Sequence, residues 1–306
     1  MIDSELAGVV VPAITPVDDE DRVDEAAFRR GLRRLIDAGV HAIFVGGSAG
    51  EGPLLADREW ERMVTIAHDE VQGAVNLLGG AIDTSTRRVR AKMRILSQLG
   101  YPYCVITPTY YITLRHPDEY LRLFGDCAEH ADGINIVAYN IPSCTGSVIP
   151  ADKVIEMARR GWFRYMKESS GDFDYFRRLV VEGAEVGLRV LEGEEPHIAK
   201  GLLAGAVGIV PVCANFEPAT YIAAYRAGLA RDEAALAGLQ ERIIEVRRQL
   251  LFVGPLWIAG IKYALSLLGV GSGLPVSPLQ PLTTEEQAKV TEFTRLSFPN
   301  LGLDSD

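Results

Sequence analysis

The stretch "RYMKESSGD", residues 164 to 172, ends an apolar run on a lysine and follows it at once with a turn. A lysine at that point, Lys167, can do chemistry if burial strips the charge from its amine, moving its pKa from ~10.4 toward the ~7–8 at which it attacks a carbonyl. A neutral amine forms an imine with a ketone. The imine withdraws electrons, so the neighbouring carbon can lose a proton or an aldehyde, provided a hydroxyl nearby handles the protons. Tyr139 closes the preceding β-rich run, "GINIVAYN", and stands ready for that duty. The loop "GGSAGE", residues 46 to 51, is neither GxGxxG nor a P-loop, so it gives nucleotide binding little support. Its glycines let backbone N–H groups approach a small anion such as a carboxylate, and Ser48 adds a hydroxyl. Each of these features alone also fits an ordinary turn, a rim aromatic or a lysine that snorkels to solvent. Their convergence is the signal.

Convergence needs a scaffold, and the chain has a rhythm that supplies one. Eight β-rich runs occur in order: "VVVPAIT", "HAIFVGG", "AVNLLGGA", "YCVITP", "GINIVAYN", "FRYMKES", "LRVLEGE" and "GAVGIVPV". Between them lie stretches of helical period, such as "DEAAFRRGLRRLIDAG", in which Phe28, Leu32 and Leu35 share a face and Gly39 supplies the stop. Strand then helix, repeated, is the pattern of parallel βαβ units. Eight units by about Ala230 fit a (β/α)₈ TIM barrel, with a doubly wound open sheet as the competing architecture; the strand count favours the barrel. Residues 1–230 are therefore expected to form the barrel with the active site. Residues 231–306 are expected to form a three-helix C-terminal extension of the same globule, with breaks at Gly254-Pro255 and "GVGSGLPVSPLQP". In such a barrel, functional groups sit at the C-terminal ends of strands, where "GGSAGE", "TPTYY", "AYNIPSCTG", Lys167 and "EGEE" all fall.

Composition narrows the partners. The 306 residues are 48% hydrophobic and carry a formal net charge of −10 without a charged tail, which argues against nucleic acid or anionic membrane as a partner. No apolar run of about 18 residues occurs, and the N-terminus lacks a signal-peptide pattern, so a cytoplasmic protein is expected. The four cysteines are far apart and never form CxxC; they are expected to be buried free thiols. The five histidines, His41, His68, His116, His130 and His197, are scattered, several in helical patterns, so neither a metal nor any other cofactor is called for.

In combination and in order, "PAITP" (12–16), "GGSAGE" (46–51), "TPTYY" (107–111), "YNIPSCTG" (139–146), "KESSGD" (167–172) and "GAVGIVPVCAN" (205–215) resemble the dihydrodipicolinate synthase/N-acetylneuraminate lyase family, pyruvate-dependent class I aldolases and dehydratases. The resemblance runs from about Val9 to the C-terminal helices. It implies that Lys167 is the Schiff-base lysine, that Tyr139 shuttles protons, and that Ser48 holds the substrate carboxylate and relays a proton. It implies that Tyr111 reaches into a neighbouring subunit, and hence a homotetramer built as a dimer of dimers. Gly47, Ala49, Gly193 and Val210 are expected to bound the substrate, with Thr145 and Glu195 as contacts at its distal end.

Three departures from the family pattern bear on the substrate. Ala49 replaces a second loop hydroxyl, leaving its backbone N–H. Cys144 stands where members that make dihydrodipicolinate carry an arginine, which argues against that synthase activity. Glu195 is followed by Pro196 where sialic-acid lyases carry an acidic pair. The expected activity is a Schiff-base lyase, by aldol cleavage or dehydration, acting on pyruvate, a 2-keto-3-deoxy sugar acid or a 4-hydroxy-2-oxo acid. The alternatives are 4-hydroxy-tetrahydrodipicolinate synthase, a metal-dependent aldolase, and a barrel that binds a 2-oxo acid without turning it over.

Overall fold

A computed structural model describes residues 5–251 and 257–301. Eight short strands, β1 (Gly8–Pro12), β2 (Ala42–Val45), β3 (Asn76–Gly80), β4 (Tyr103–Ile106), β5 (Asn135–Asn140), β6 (Tyr165–Glu168), β7 (Arg189–Glu192) and β8 (Gly208–Ile209), pair in parallel with their chain neighbours. β8 pairs with β1, so the sheet closes on itself. The eight runs read from the sequence are these eight strands, and the open-sheet alternative is excluded by the closure.

Helices α1 (Glu25–Asp37), α2 (Asp57–Val71), α3 (Thr86–Leu99) and α4 (Pro117–Glu129) follow β1 to β4. A short α5 (Pro142–Thr145) and α6 (Ala151–Arg159) follow β5, then α7 (Phe173–Ala184) follows β6, α8 (Ile198–Ala204) follows β7 and α9 (Pro218–Ala230) follows β8. Local chemistry starts and stops them where expected. The Asp24 carboxylate accepts from the Ala27 N–H at 3.0 Å to cap α1, and Gly100 ends α3 in the left-handed region at φ 83°. Three helices complete the described chain: α10 (Glu233–Leu250), α11 (Trp257–Leu267) and α12 (Thr284–Ser297). The break read at Gly254-Pro255 lies outside the described residues; the second, over "GVGSGLPVSPLQP", separates α11 from α12. None of the helices among the described residues is long and apolar enough to cross a membrane.

Period-two alternation sorts each strand between two cores. Val137 and Tyr139 of β5, Tyr165 of β6, Phe44 of β2 and Leu191 of β7 fill the barrel interior. Their neighbours Ile136, Ala138, Met166, Ile43, Val45 and Val190 pack outward under the helices, where Ile243 and Val246 of α10 and Ile261 of α11 join the same apolar cluster. Alternation from Tyr165 therefore turns Lys167 inward, and the β5–β6 register sets it directly beside Tyr139.

One buried amide fixes the ends of these two strands. Asn140 donates from Nδ2 to Glu168 Oε1 at 3.0 Å, and its Oδ1 accepts from the Ile149 N–H at 3.1 Å. Glu168 Oε1 also accepts from the Ser170 N–H at 2.7 Å, tightening the turn after β6. Truncating Asn140 leaves a carboxylate oxygen short of a donor and a buried N–H without an acceptor. Asn140→Ala is expected to destabilise the protein by about 1–3 kcal/mol, seen as a lower urea midpoint at unchanged slope; an unchanged midpoint would show that the clamp carries no weight.

Candidate active site

At the C-terminal mouth of the barrel lies a cavity of about 320 Å³, and Lys167, Tyr139, Ser48, Ala49, Gly193, Glu195 and Val210 all line it. The Lys167 amine is buried, with only 7% of the residue exposed. Its Nζ lies 4.1 Å from the centre of the Tyr139 ring and 5.5 Å from that of Phe44. The ring faces favour an ammonium, but desolvation opposes it and is the larger effect. Burial pulls the Lys167 pKa down to about 7, against the upward influence of Glu194, Cys144 and Glu195. Near neutral pH a large part of the amine is therefore an uncharged nucleophile.

The Tyr139 phenol is moved the other way. Burial pushes its pKa well above the usual tyrosine value, aided by Cys144, while the hydroxyls of Ser48 and Ser169 pull it back. A buried phenol flanked by two hydroxyls keeps its proton until a partner develops charge, and the hydroxyls can then stabilise the phenolate. Cys144 Sγ stands 3.9 Å from Ser48 Oγ. Cys104, Cys127 and Cys213 are buried free thiols as expected, whereas Cys144 is exposed at the mouth; the short α5 lifts it out of the core.

Glycine is required at two places here. A Cβ on Gly47 would lie 2.6 Å from the Phe44 ring, so the loop after β2 can run over that ring only with glycine there. Gly47 itself stands behind the lining, its carbonyl accepting from the Gly52 N–H at 3.1 Å. A Cβ on Gly193 would collide with Ser169 Oγ and approach Lys167 Cε at 3.1 Å. Glycine at 193 therefore keeps open the space above the amine.

Two other expected residues stand apart from the cavity. Thr145 is buried, with its hydroxyl 3.1 Å from each of the carbonyl oxygens of Ile141 and Ser147, so it stabilises the turn after β5 and does not contribute to the lining. Tyr111 is 89% exposed, with φ at 75°, on the loop after β4. Glu195 does line the cavity, but its Oε1 already accepts from the Cys213 N–H at 2.8 Å and the Tyr221 hydroxyl at 3.3 Å. Burial raises its pKa.

The cavity also contains residues that the sequence reading passed over: Ser143, Ser169, Glu194, Arg247 and Leu251 among them. Ser169 had a usable signal, because period two places residue 169 on the side of residue 167. Arg247 and Leu251 had none, since they come from α10 and its end.

The loop after β2 is tethered to the C-terminal helices by a buried ion pair. Lys262 Nζ of α11 lies 2.5 Å from Glu51 Oε2, with both side chains essentially inaccessible, and Glu51 Oε1 accepts from the Val276 N–H at 2.7 Å. Burial pushes Glu51 up and Lys262 down, and each partner's charge opposes that push. Ser48 and Ala49 lie three and two residues before this anchor.

The model of the Dihydrodipicolinate synthetase family matches residues 5–295. An uncharacterized DapA-like lyase of Halobacterium salinarum is 32% identical over 288 residues, 92% of this chain and 91% of that protein. The 4-hydroxy-tetrahydrodipicolinate synthase of Methanopyrus kandleri is 28% identical over 302 residues, 98% of this chain and 97% of the relative. The crystal structure of dihydrodipicolinate synthase from Aquifex aeolicus superimposes with a TM-score of 0.89 at 26% identity, covering 98% of this chain and all of that one.

Removing one member of a buried pair strands the other. Lys262→Met is expected to cost about 3–5 kcal/mol in urea unfolding, and the Glu51→Gln/Lys262→Met double variant less than that single variant. A double variant as unstable as the sum of the singles would deny that the two side chains act as a charge pair.

Proposed function

The chain belongs to the Dihydrodipicolinate synthetase family of lyases, and on that premise we propose that it is a Schiff-base lyase of 2-oxo acids, with Lys167 as nucleophile and Tyr139 as proton carrier. The observation that carries this reading is the uncharged-leaning amine of Lys167 packed against the Tyr139 ring at the barrel mouth. Ser48 and the backbone N–H groups of the loop around Ala49 take the substrate carboxylate, which sets the 2-oxo carbon toward Lys167 Nζ. The amine adds to that carbon. The nitrogen passes its surplus proton to the oxygen, Tyr139 gives a second one, the oxygen leaves as water, and the C–N bond becomes an iminium.

The iminium then draws in the electrons of the C3–C4 bond. The phenolate of Tyr139 accepts the proton of the substrate's 4-hydroxyl, an aldehyde departs, and the enamine left on Lys167 is protonated at C3 and hydrolysed to pyruvate. Loss of a proton and a hydroxyl from the same iminium gives dehydration instead; both outcomes use the same two residues. Aldol cleavage of a 2-keto-3-deoxy sugar acid or 4-hydroxy-2-oxo acid is the leading assignment. Cys144, which cannot supply a cationic clamp at the mouth, disfavours the 4-hydroxy-tetrahydrodipicolinate synthase reaction.

In this reading residues 1–230 carry the chemistry and 231–306 brace and wall the mouth. The outward-held Tyr111, with the 75% exposed Ile112 beside it, suits a contact with a second subunit in a homotetramer. The net charge of −10 suits a protein working free of nucleic acid and of anionic membrane, in the cytoplasm.

Two measurements test the mechanism. Pyruvate with borohydride is expected to leave a reduced adduct on Lys167, located by mass spectrometry, and Lys167→Ala is expected to lose the adduct and turnover by several orders of magnitude; an adduct elsewhere, or turnover persisting in the variant, would reject the assignment. The ammonium cannot attack and forms below the pKa of about 7. The rate of imine formation is therefore expected to rise roughly tenfold per pH unit below neutrality and level off above it, and a flat rate from acid to alkaline pH would contradict a titrating amine.

A further inference from the structure

Arg247 enters the cavity wall from outside the barrel. It lies on α10, which is fastened to the loop after β7 by one glutamine: Gln240 Nε2 donates to the Glu195 carbonyl at 2.9 Å, and Gln240 Oε1 accepts from the Ala199 N–H at 2.8 Å. Arg247 is seven residues further on, close to two full turns, and so falls on the face that Gln240 presents to the mouth. It is half-buried and lines the cavity together with Lys167, Glu194 and Glu195.

Its neighbours along α10 are matched. Arg242 pairs with Glu217 at 3.0 Å and reaches Ser297 Oγ at 3.1 Å, and Arg248 pairs with Glu245 at 2.7 Å. Arg247, among the described residues, has no hydrogen bond and no carboxylate within ion-pair distance, although its field reaches both Glu194 and Glu195. Burial drives both of those acids toward their neutral forms. A guanidinium keeps its charge at every working pH. Among the described lining residues it is therefore the one cation whose charge never depends on the chemistry at Lys167.

We infer that Arg247 is a specificity-determining residue that receives a second anionic group, at the end of the substrate remote from its 2-oxo carboxylate. The inference rests on the Schiff-base reading above and narrows its substrate class to 4-hydroxy-2-oxo acids with a terminal carboxylate or phosphate. The planar fork of donors suits either group. The two carboxyls beside it, Glu194 and Glu195, suit the hydroxyls between the two ends.

The test uses three 4-hydroxy-2-oxo acids of matched length ending in carboxylate, phosphate or hydroxymethyl, assayed for pyruvate release with the wild type, Arg247→Met and Arg247→Lys. The wild type is expected to favour at least one anionic substrate over the neutral one in kcat/KM by about tenfold or more. Arg247→Met is expected to erase that ratio, and Arg247→Lys to retain part of it. Because the ratio is taken within each variant, a loss of folded protein cancels from it. The arm with the higher ratio tells carboxylate from phosphate. A wild type indifferent to the terminal charge, or a ratio that survives in Arg247→Met, overturns the inference. Borohydride trapping of pyruvate on the wild type separates the two levels: an adduct without a charge preference sinks this inference alone, and no adduct sinks the Schiff-base reading along with it.

Discussion

An ammonium ion buried at the end of a closed barrel is costly, and a neutral amine is not; the arrangement of the site follows from that difference. Lys167 is set inward by strand alternation, and closure of the sheet between β1 and β8 denies it a route to bulk water along an open edge. The aromatic faces of Tyr139 and Phe44 offer weak compensation to the charged form, while desolvation removes more than they return. What results is an amine that sheds its charge readily because of its location. The barrel needs no dedicated base to activate it.

The same location sets limits on the groups around it. Ionised carboxylates close to Lys167 would restore the ammonium, and four glutamates stand at the ends of β6 and β7: Glu168, Glu192, Glu194 and Glu195. Burial shifts all four upward, Glu192 as far as about 8. Glu194 and Glu195 still draw the Lys167 pKa upward, and burial of the amine outweighs them. Several already have fixed work: Glu168 joins β5 to β6 through Asn140, Glu192 accepts from the Glu194 N–H at 2.8 Å, and Glu195 holds Cys213 and Tyr221. These carboxyls shape the mouth through the bonds they hold.

Lys167 and Tyr139 were legible in the sequence because each sits near the end of a strand in a parallel series, where period two and chain order determine facing and adjacency. The eight strands and the helices between them were legible for the same reason. Thr145 shows where residue type misleads: a hydroxyl in a turn bonds most readily to nearby carbonyls, and here it does so with Ile141 and Ser147. Cys144 was taken for a buried thiol because free cysteines usually are buried, but the short α5 holds it at the rim. Tyr111 is exposed on the loop after β4 and stands apart from the cavity, whereas the family resemblance groups it with the site. Arg247 could not be found at all. In sequence it is one of several charges on a helix, and only the Gln240 clasp of α10 to the loop after β7 decides which of them meets the cavity.

The wall built by α10 and the anchor built by α11 suggest why the chain extends beyond its eighth strand. Loops on a barrel rim position groups less sharply than helices do. The loop after β2, which holds Ser48 and Ala49, gains definition from Glu51, whose carboxylate is gripped by Lys262 and by the Val276 N–H. The loop after β7 gains it from Gln240. The loops after β2 and β7 are thus each fixed by a polar contact from the C-terminal part of the chain, and each contact bridges segments far apart in sequence. Loosening those helices would leave Lys167 and Tyr139 in their strands but release the loops that carry Ser48, Ala49, Glu194 and Glu195. On the proposed Schiff-base reading, a barrel so altered should keep its amine and lose its precision, since Lys167 and Tyr139 belong to the sheet and the contacts that fix the two loops come from the extension.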